Sequence, residues 1–551
     1  MSRRLCARAH TLGTAVLVML VVALQASGST RQANAVGLAI QVSANRLVDG
    51  NGQTVVPHGV NRSGTEFRCI QNTGIFDGPS DAASVLAIKS WTNVNVVRLP
   101  LNEDCWLNVN TSGIDPAFVG QNYVNAISSY VDLLTQNGIY TILDLHWSAP
   151  GQQVANFVAG QLTLPMPDLD HSPAFWTSVA NTFKTNPAVI FDLYNEPYPD
   201  NNQDTPAAWT CLKDGGTCSG VPFQAAGMQT LVNAVRATGA TNVIMVSGVG
   251  WAALMSQWLG YKPADPLGQL VASHHRYRLA WCATEACWNS TLLPIAQQVP
   301  LVTGELGEDP GDVTCTHAFV DRYVSWADSN RIPHLAWTWN TWPNYCIDLI
   351  TSFDGIPSAY GQAYKSHVAS FFSDDFNNGS ASGWTMTPSG YWSVVSGELK
   401  ATGPTVGGWA WQSASRSLGP GVTSFQANMA TPATALSNNG IVVATANEAY
   451  QVLFVVDSGN TLQWGTSISG TWSGWTAVGS IDRSALHTYA IRRDGSGTFS
   501  VVVDGVVKAS NIPAGPASVW AGGIGTGKLF TQAELAGQVL GTRFDDVLAW
   551  Q

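Results

Sequence analysis

Charge is scarce in this chain. Only 11% of its 551 residues are Asp, Glu, Lys or Arg, against about a quarter in an ordinary soluble domain. Lys and Arg number 26, Asp and Glu 37, and the net charge is −11. No basic stripe is present, which argues against nucleic acid or an anionic membrane surface as the natural partner. No C-x-x-C pair occurs and no cysteine stands at zinc spacing from a histidine, so a metal reading of the cysteines is weak. H-E-x-x-H is absent. No G-x-G-x-x-G follows an early strand, which argues against a dinucleotide-binding, doubly wound sheet. No G-x-S-x-G stands after a strand either; Val246-Ser247-Gly248 lacks the surrounding glycines, and a serine hydrolase is disfavoured. Beyond the N-terminus there is no apolar run long enough to span a bilayer.

What is present is apolar and aromatic. Hydrophobic residues make up 45%, enough for a sizeable core, and there are 22 tryptophans. A weakly charged surface rich in Trp and amide side chains suits a neutral, polar, ring-shaped ligand such as a sugar. Arg3, Arg4 and Arg8 precede an apolar run from Leu12 to Leu24, and small residues follow to Ala33-Asn34-Ala35. A basic start, a short apolar stretch and an Ala-x-Ala site predict a secretory signal peptide over 1–35, a mature chain from near Val36, and an extracellular protein with no membrane contact after cleavage. Of nine cysteines, Cys6 leaves with that leader. The eight others form an even set, as in an exported chain with disulfides. The short separations favour Cys211–Cys218 and Cys282–Cys287; Cys69–Cys105 and Cys315–Cys346 complete the simplest of many pairings.

The texture changes near residue 372: all eight cysteines lie before it, and afterwards Gly, Ser, Thr, Val and Trp dominate. The division read here is 36–372 and 373–551, with no Pro/Thr-rich linker, so that the two parts touch rather than swing. In the first part an early hairpin, Leu38 to Val56 with its turn at Asp49-Gly50-Asn51-Gly52, is expected to close the bottom of a barrel. Eight strands are expected at Pro57–Asn61, Val94–Leu101, Tyr140–His146, Val189–Asn195, Asn242–Ser247, Leu270–Tyr277, Leu301–Glu305 and His334–Trp339. Helices lie between most of them. The clearest opens at Asp115-Pro116, an N-cap followed by proline, and runs to about Gln136. This is the pattern of an α/β (β/α)8 TIM barrel. The second part reads as an antiparallel β-sandwich of jelly-roll type, from short alternating runs such as Ile441–Ala444 and Ser500–Val503 and turns such as Asp504-Gly505. Its ends, Asp374-Asp375-Phe376 and Arg543-Phe544-Asp545-Asp546-Val547, are expected to pair as neighbouring strands.

Reactive residues of such a barrel sit at the carboxyl ends of its strands. Polar residues occur there with regularity: Arg98, His146, Asn195-Glu196-Pro197, His275-Arg276-Tyr277, Glu305 and Trp337-Thr338-Trp339. Glu196 and Glu305 each follow an apolar strand, on nearly opposite sides of the barrel. Glycoside hydrolysis needs such a pair, one to protonate the leaving oxygen and one to attack the anomeric carbon or activate water.

In their order, Val97-Arg98-Leu99-Pro100, Leu143-Asp144-Leu145-His146, Asn195-Glu196-Pro197, His275-x-Tyr277, Gly304-Glu305 and Trp339 resemble the motifs of glycoside hydrolase family 5, the cellulase family of clan A, over about Leu38 to Phe371. The resemblance implies Glu196 as general acid/base and Glu305 as nucleophile. It implies Asn195 on the sugar 2-hydroxyl, Arg98 and Tyr277 holding Glu305 ionised, His275 orienting Glu196, His146 in the same subsite, and Trp339 as the platform beneath the sugar. The charge of Glu305 is expected to raise the pKa of Glu196. Strand periodicity places His275 and Tyr277 on one face and His274 on the other. Trp337 shares a face with Trp339, and the residue nearer the strand end is taken. After Glu305 the family's usual aromatic is replaced by Leu306-Gly307. Trp106, Trp147, Trp251, Trp258, Trp281 and Trp342 are further candidates for the cleft, Trp147 and Trp342 foremost. Asn102, Glu103 and Asp104 are candidates for polar contacts. No metal and no cofactor are needed for this chemistry.

The segment Trp384-Thr385-Met386 to Tyr391-Trp392-Ser393-Val394, then Gly397-Glu398-Leu399, resembles the opening of concanavalin A-like lectin/glucanase modules. It lacks a catalytic pair of carboxylates and is read as non-catalytic. Trp409, Trp411, Trp464, Trp472 and Trp475 are its candidates for a carbohydrate-binding face. The implied protein is a monomeric, secreted, retaining endo-β-glycanase, with β-1,4-glucan as first substrate. A β-mannanase, xylanase or exo-β-glucosidase on the same barrel is the competing enzyme. A carbohydrate-binding protein with an inactive barrel is the competing class, against which the presence of both glutamates counts.

Overall fold

The computed structural model describes residues 38–151, 164–309, 316–342, 346–377, 379–494 and 497–551. The leader read at 1–35, and Val36 with it, lie outside the described residues. Among the described residues no helix is long and apolar enough to cross a membrane.

Eight parallel strands close into a barrel: β1 (His58–Asn61), β2 (Val94–Asn102), β3 (Tyr140–Trp147), β4 (Val189–Asp192), β5 (Ile244–Ser247), β6 (Leu270–Tyr277), β7 (Leu301–Gly307) and β8 (His334–Ala336). They follow one another around the barrel in chain order, and β8 pairs with β1. Alternation along the strands builds two cores. Val96, Ile142, Ile190, Met245, Val271, Val302 and Leu335 fill the lower barrel. Their neighbours Val97, Leu143, Phe191 and Leu301 face the surrounding helices. The helix Gln121–Gln136 buries Tyr123, Ile127, Tyr130, Val131 and Leu134, one stripe of its surface.

Four boundaries differ from the sequence reading. The N-terminal hairpin, Ile40–Ser43 with Arg46–Asp49, turns at Ala44-Asn45, where Ala44 has φ 51°; the glycines at 50–52 make a second reversal that returns Thr54 to Val48. Ile40 and Leu47 plug the lower barrel beside Val96 and Ile190. The helix expected from Asp115 is broken: Asp115 caps only the 3-10 turn Pro116–Phe118, and the α-helix restarts after Gly120 at φ 59°. Strands β4 and β8 stop at Asp192 and Ala336, so Asn195, Glu196 and Trp339 lie on the loops that follow.

From Phe372 onward the chain forms two antiparallel sheets of eight strands. Phe372–Asp374 pairs with Val547–Ala549, the first and last strands of this region, a step earlier than the pairing read from the sequence. One core cluster, including Phe425, Ile441, Phe454, Ile491 and Leu529, fills the space between the sheets. This region packs on the lower side of the barrel. Asp546 receives Arg46 at 3.3 Å and Arg331 at 3.2 Å. The Thr54 N–H donates to Asp375 (2.8 Å), and the Ser325 hydroxyl donates to the carbonyl of Gln551 (2.9 Å).

Three disulfides, Cys69–Cys105, Cys211–Cys218 and Cys282–Cys287, tie loops at the barrel's carboxyl-terminal side. Cys346 is also disulfide-bonded; Cys315, its expected partner, lies outside the described residues.

Candidate active site

Above the apolar floor sits a buried charged layer organised by Arg98 of β2. Its five N–H donors meet five acceptors. Nε donates to Asp192 (3.0 Å). One terminal nitrogen donates to Asn61 (3.1 Å) and Glu305 Oε1 (2.8 Å). The other donates to Asn195 Oδ1 (2.8 Å) and stands 3.0 Å from Asp144. Burial works against the guanidinium charge, but Asp144, Asp192 and Glu305 outweigh it and raise its pKa. Burial pushes Asp144 and Asp192 up to about 7 each, against the pull of Arg98. Asn61, Asp144 and Asp192 were not singled out from sequence. Each occupies an inward position of its strand, so alternation from Arg98 and His146 was the available signal.

Glu305 reaches this layer because β7 breaks its alternation. Val302 faces inward and Thr303 outward, to Tyr323. Strict alternation would then turn Gly304 in and Glu305 out. The register between β6 and β7 instead steps from His274↔Thr303 to His275↔Glu305, leaving Gly304 unpaired. This bulge restores Glu305 to the interior and Leu306 to the outer core. A Cβ on Gly304 would crowd the site, lying 3.0 Å from Ser273 Oγ and 3.1 Å from His275 Nε2.

Both carboxylate oxygens of Glu305 are held. Oε1 accepts from Arg98, and Oε2 accepts from the Tyr277 hydroxyl at 2.6 Å. Burial, reinforced by Glu305, lifts the Tyr277 pKa well above its ordinary value, so it remains a donor. Glu196 lies just past β4, on a loop fixed by the Asn195 N–H donating to the Leu145 carbonyl (3.1 Å) and by the Ser247 hydroxyl donating to the Tyr194 carbonyl (3.0 Å). Its side chain keeps 18% exposure to the cleft. His275 Nδ1 stands 2.8 Å from Glu196 Oε1 and 3.6 Å from Glu305 Oε2. Ligand-type atoms of Glu196, His275 and Glu305 all lie within 4.8 Å of one another. Burial raises the Glu196 pKa to about 7, opposed by His146 and Arg98. Desolvation, not the charge of Glu305, is the leading cause, which corrects the sequence expectation.

His146 stands at the end of β3 with Nδ1 2.6 Å from Asp144, and burial lowers its pKa to about 4. Burial likewise lowers His275, to about 3, so both rings are neutral at neutral pH. His274 points outward to the Tyr323 hydroxyl at 2.6 Å.

The tryptophans divide differently from the sequence reading. Trp339 is buried in the outer core, edge-on to Trp91 at 4.9 Å, and so cannot lie beneath a sugar. Trp337, on the inward face with Leu335, is half-buried and stacks on His146 (5.7 Å, 14° between planes). Trp106 and Trp258 belong to the core, and Trp147 is buried at the end of β3. Trp251 is exposed; it stacks on Tyr198 at 3.9 Å, and its N–H donates to the carbonyl of Pro197, next to Glu196. Trp281 is exposed on the loop after β6. Trp342 is half-buried, its Nε1–H donating to Asp77 (3.1 Å). Asn102, Glu103 and Asp104 are wholly buried. Asn102 caps the short helix after β2, and Glu103 accepts the Ala149 N–H at 2.5 Å, so the three are structural.

Three groups among the described residues have ligand spacing for a cation: His58/Asp328/His334, Asp168/Asp170/His171 and Glu196/His275/Glu305. In the third, a cation would compete with Arg98 and Tyr277 for the same carboxylate oxygens.

A parallel eight-stranded barrel with two carboxyls meeting over its mouth, one held by an arginine and a tyrosine and one with a raised pKa, defines the class of glycoside hydrolases. The profile of the cellulase family, glycosyl hydrolase family 5, matches residues 48–342, and the chain belongs to that family. A mannan endo-1,4-beta-mannosidase of Streptomyces lividans is 24% identical over 422 residues, covering 73% of this chain and 94% of that one. An endoglucanase of Paenibacillus polymyxa is 24% identical over 329 residues, 54% of this chain and 78% of its own length. The crystal structure of a beta-glucanase from Saccharophagus degradans is 20% identical with a TM-score of 0.46, covering 60% of this chain and 92% of that one.

Proposed function

We propose that this retaining endo-β-glycanase hydrolyses β-1,4-glucan by double displacement, with Glu305 as nucleophile and Glu196 as acid/base. The observation that carries the reading is the approach of the two carboxyls to within 4.8 Å. Retaining enzymes hold their carboxyls about 5–5.5 Å apart, and inverting ones leave about 6.5–9.5 Å for a water. Glu196 gives its proton to the glycosidic oxygen as Glu305 attacks the anomeric carbon and the bond to the leaving oxygen breaks. The resulting ester is cleaved by a water that gives a proton back to Glu196. Arg98 and Tyr277 hold Glu305 in line. Asn195 spends its Oδ1 on Arg98, which leaves its amide N–H groups to donate to the sugar 2-hydroxyl. Trp337, not Trp339, is the platform, beside His146.

The cellulase family match supports glucan; the mannosidase relative, matched over the larger share of this chain, supports β-mannan as a second reading. Residues 373–551 are proposed as a concanavalin A-like jelly roll that binds carbohydrate, supported by the exposed Trp409, Trp411 and Trp472; Trp464 packs on the core. Export through a leader at 1–35 is proposed from its sequence pattern. Reducing-sugar release from carboxymethyl-cellulose, galactomannan and xylan tests the substrate. Release from carboxymethyl-cellulose is expected, release from galactomannan alone would favour the second reading, and release from none would contradict both.

A further inference from the structure

Arg62, Arg98, Arg276 and Arg483 are all buried. Three of them spend their N–H groups on several acceptors. Arg98 meets five, Arg483 donates to four carbonyls and Arg62 to three. Arg276 has a single acceptor: its Nη1 donates to the Trp281 carbonyl at 2.7 Å. Its Nε and Nη2 are enclosed and have no hydrogen-bond partner. Those two nitrogens share one edge of the guanidinium, the fork with which arginine binds anions through two parallel hydrogen bonds. A guanidinium has no tautomer that turns these donors into acceptors.

Charge is the second observation. Among the described residues no carboxylate acts on Arg276. The one group that favours its charge is Tyr323, and burial keeps that phenol neutral. Burial lowers the Arg276 pKa only to about 10, so the group is a cation at neutral pH. Alternation along β6 puts Arg276 on the outward side with His274. His274 Nδ1 is a further enclosed nitrogen without a partner, and burial keeps that ring neutral. An enclosed cation without a counter-charge is strongly unfavourable. A water at the open fork would accept the two N–H groups but leave the charge uncompensated. An anion there does both.

The structure assigns a small monovalent anion of the halide class, chloride in ordinary salt solution, to the outward side of β6, accepting from Nε–H and Nη2–H of Arg276. The surroundings carry one positive charge and are closed to solvent at Arg276 and His274. They suit a compact ion with one charge rather than sulfate or phosphate, whose second charge would stay unpaired. Arg276 stands between His275, which touches Glu196, and Tyr277, which holds Glu305. The anion would therefore brace, from behind, the strand that carries both contacts. The glycosidase chemistry itself uses neither Arg276 nor the ion.

Full-length protein is freed of halide by dialysis into gluconate, and chloride is then added at constant ionic strength. The Tm is expected to rise by about 2 °C and to level off as the site fills. Bromide should act like chloride, sulfate should have no such effect, and Arg276→Gln should not respond. Wild-type crystals soaked in bromide should show an anomalous peak beside Nε and Nη2 of Arg276, a result that decides the matter even where the variant fails to fold. A Tm indifferent to halide, with no peak at Arg276, would overturn the proposal in favour of a water molecule. A peak without any Tm response would mark an adventitious ion only. A folded Arg276→Gln that keeps the full chloride response would place the anion elsewhere, and sulfate acting in place of chloride would contradict the halide class.

Discussion

Glu196 must begin each turnover protonated, and burial raises its pKa to about 7. The sign follows directly: the acid form is present below that value and is lost as pH rises through it, so kcat/KM should fall toward alkaline pH with a limb near 7. With an aryl glycoside whose leaving group needs no proton, Glu196→Gln should lose that limb in the glycosylation step; persistence of the limb in the variant would remove Glu196 from the proton-donor role. The two tryptophans give a contrasting pair. Trp337→Ala removes a stacking face and should raise KM about tenfold with little change in Tm. Trp339→Ala opens a cavity beside Trp91 and should cost about 3–5 kcal/mol of stability. Large destabilisation by the first and none by the second would reverse the assignment. His146, Asn195, Glu196, His275, Tyr277 and Glu305 could be singled out in sequence because each is a chemically distinctive side chain at or just past a strand end; Arg98 stands in the middle of β2 and was marked by the motif Val97-Arg98-Leu99-Pro100. Trp339 was misread because β8 stops at Ala336: alternation puts Trp337 and Trp339 on one face, but it lapses past the strand end, and only Trp337, next to that end, keeps the inward face of Leu335. The leading cause of the Glu196 shift was not legible either, since desolvation depends on what surrounds a carboxyl in space.

At the scale of elements, the eight strands were readable from apolar runs spaced by amphipathic stretches. The errors fall where local geometry outweighs pattern: the left-handed Gly120 that breaks a helix, and the Ala44-Asn45 turn, an additional reversal ahead of the one at 49–52. The β7 bulge matters most for function, because it reverses the inward and outward faces at Glu305 and has no signature beyond a glycine before a glutamate. Gly304→Ala tests it. The new Cβ meets Ser273 Oγ and His275 Nε2 at about 3 Å, and His275 should shift from Glu196. We expect kcat/KM to fall about tenfold or more with a folded protein, since misplacement on this scale is costly in a preorganised site. A folded variant with wild-type kcat/KM would show that the His275–Glu196 contact does not depend on the bulge.

At the scale of the whole molecule, the catalytic groups open on one end of the barrel and the sandwich is fixed to the other. Arg46, Arg331 and Asp546 form the charged part of that junction, and burial lowers the Arg331 pKa to about 10 against the pull of Asp546. Removing 374–551 should therefore leave turnover of soluble oligosaccharide nearly unchanged at low temperature, while Tm falls because Arg331 loses its buried partner. Binding to insoluble polysaccharide should weaken as well. A truncated protein with intact Tm and intact binding would contradict both roles given to the sandwich. The charges that make the junction were not legible in the sequence, because Arg46, Arg331 and Asp546 are far apart in the chain and share no local pattern.

The most direct test of the double-displacement account is to trap its intermediate. A 2-deoxy-2-fluoro-β-cellobioside with a good leaving group should inactivate the enzyme, and peptide mass spectrometry should place one fluorosugar on Glu305. An adduct on Glu196, or no adduct together with hydrolysis to an inverted product, would contradict the account.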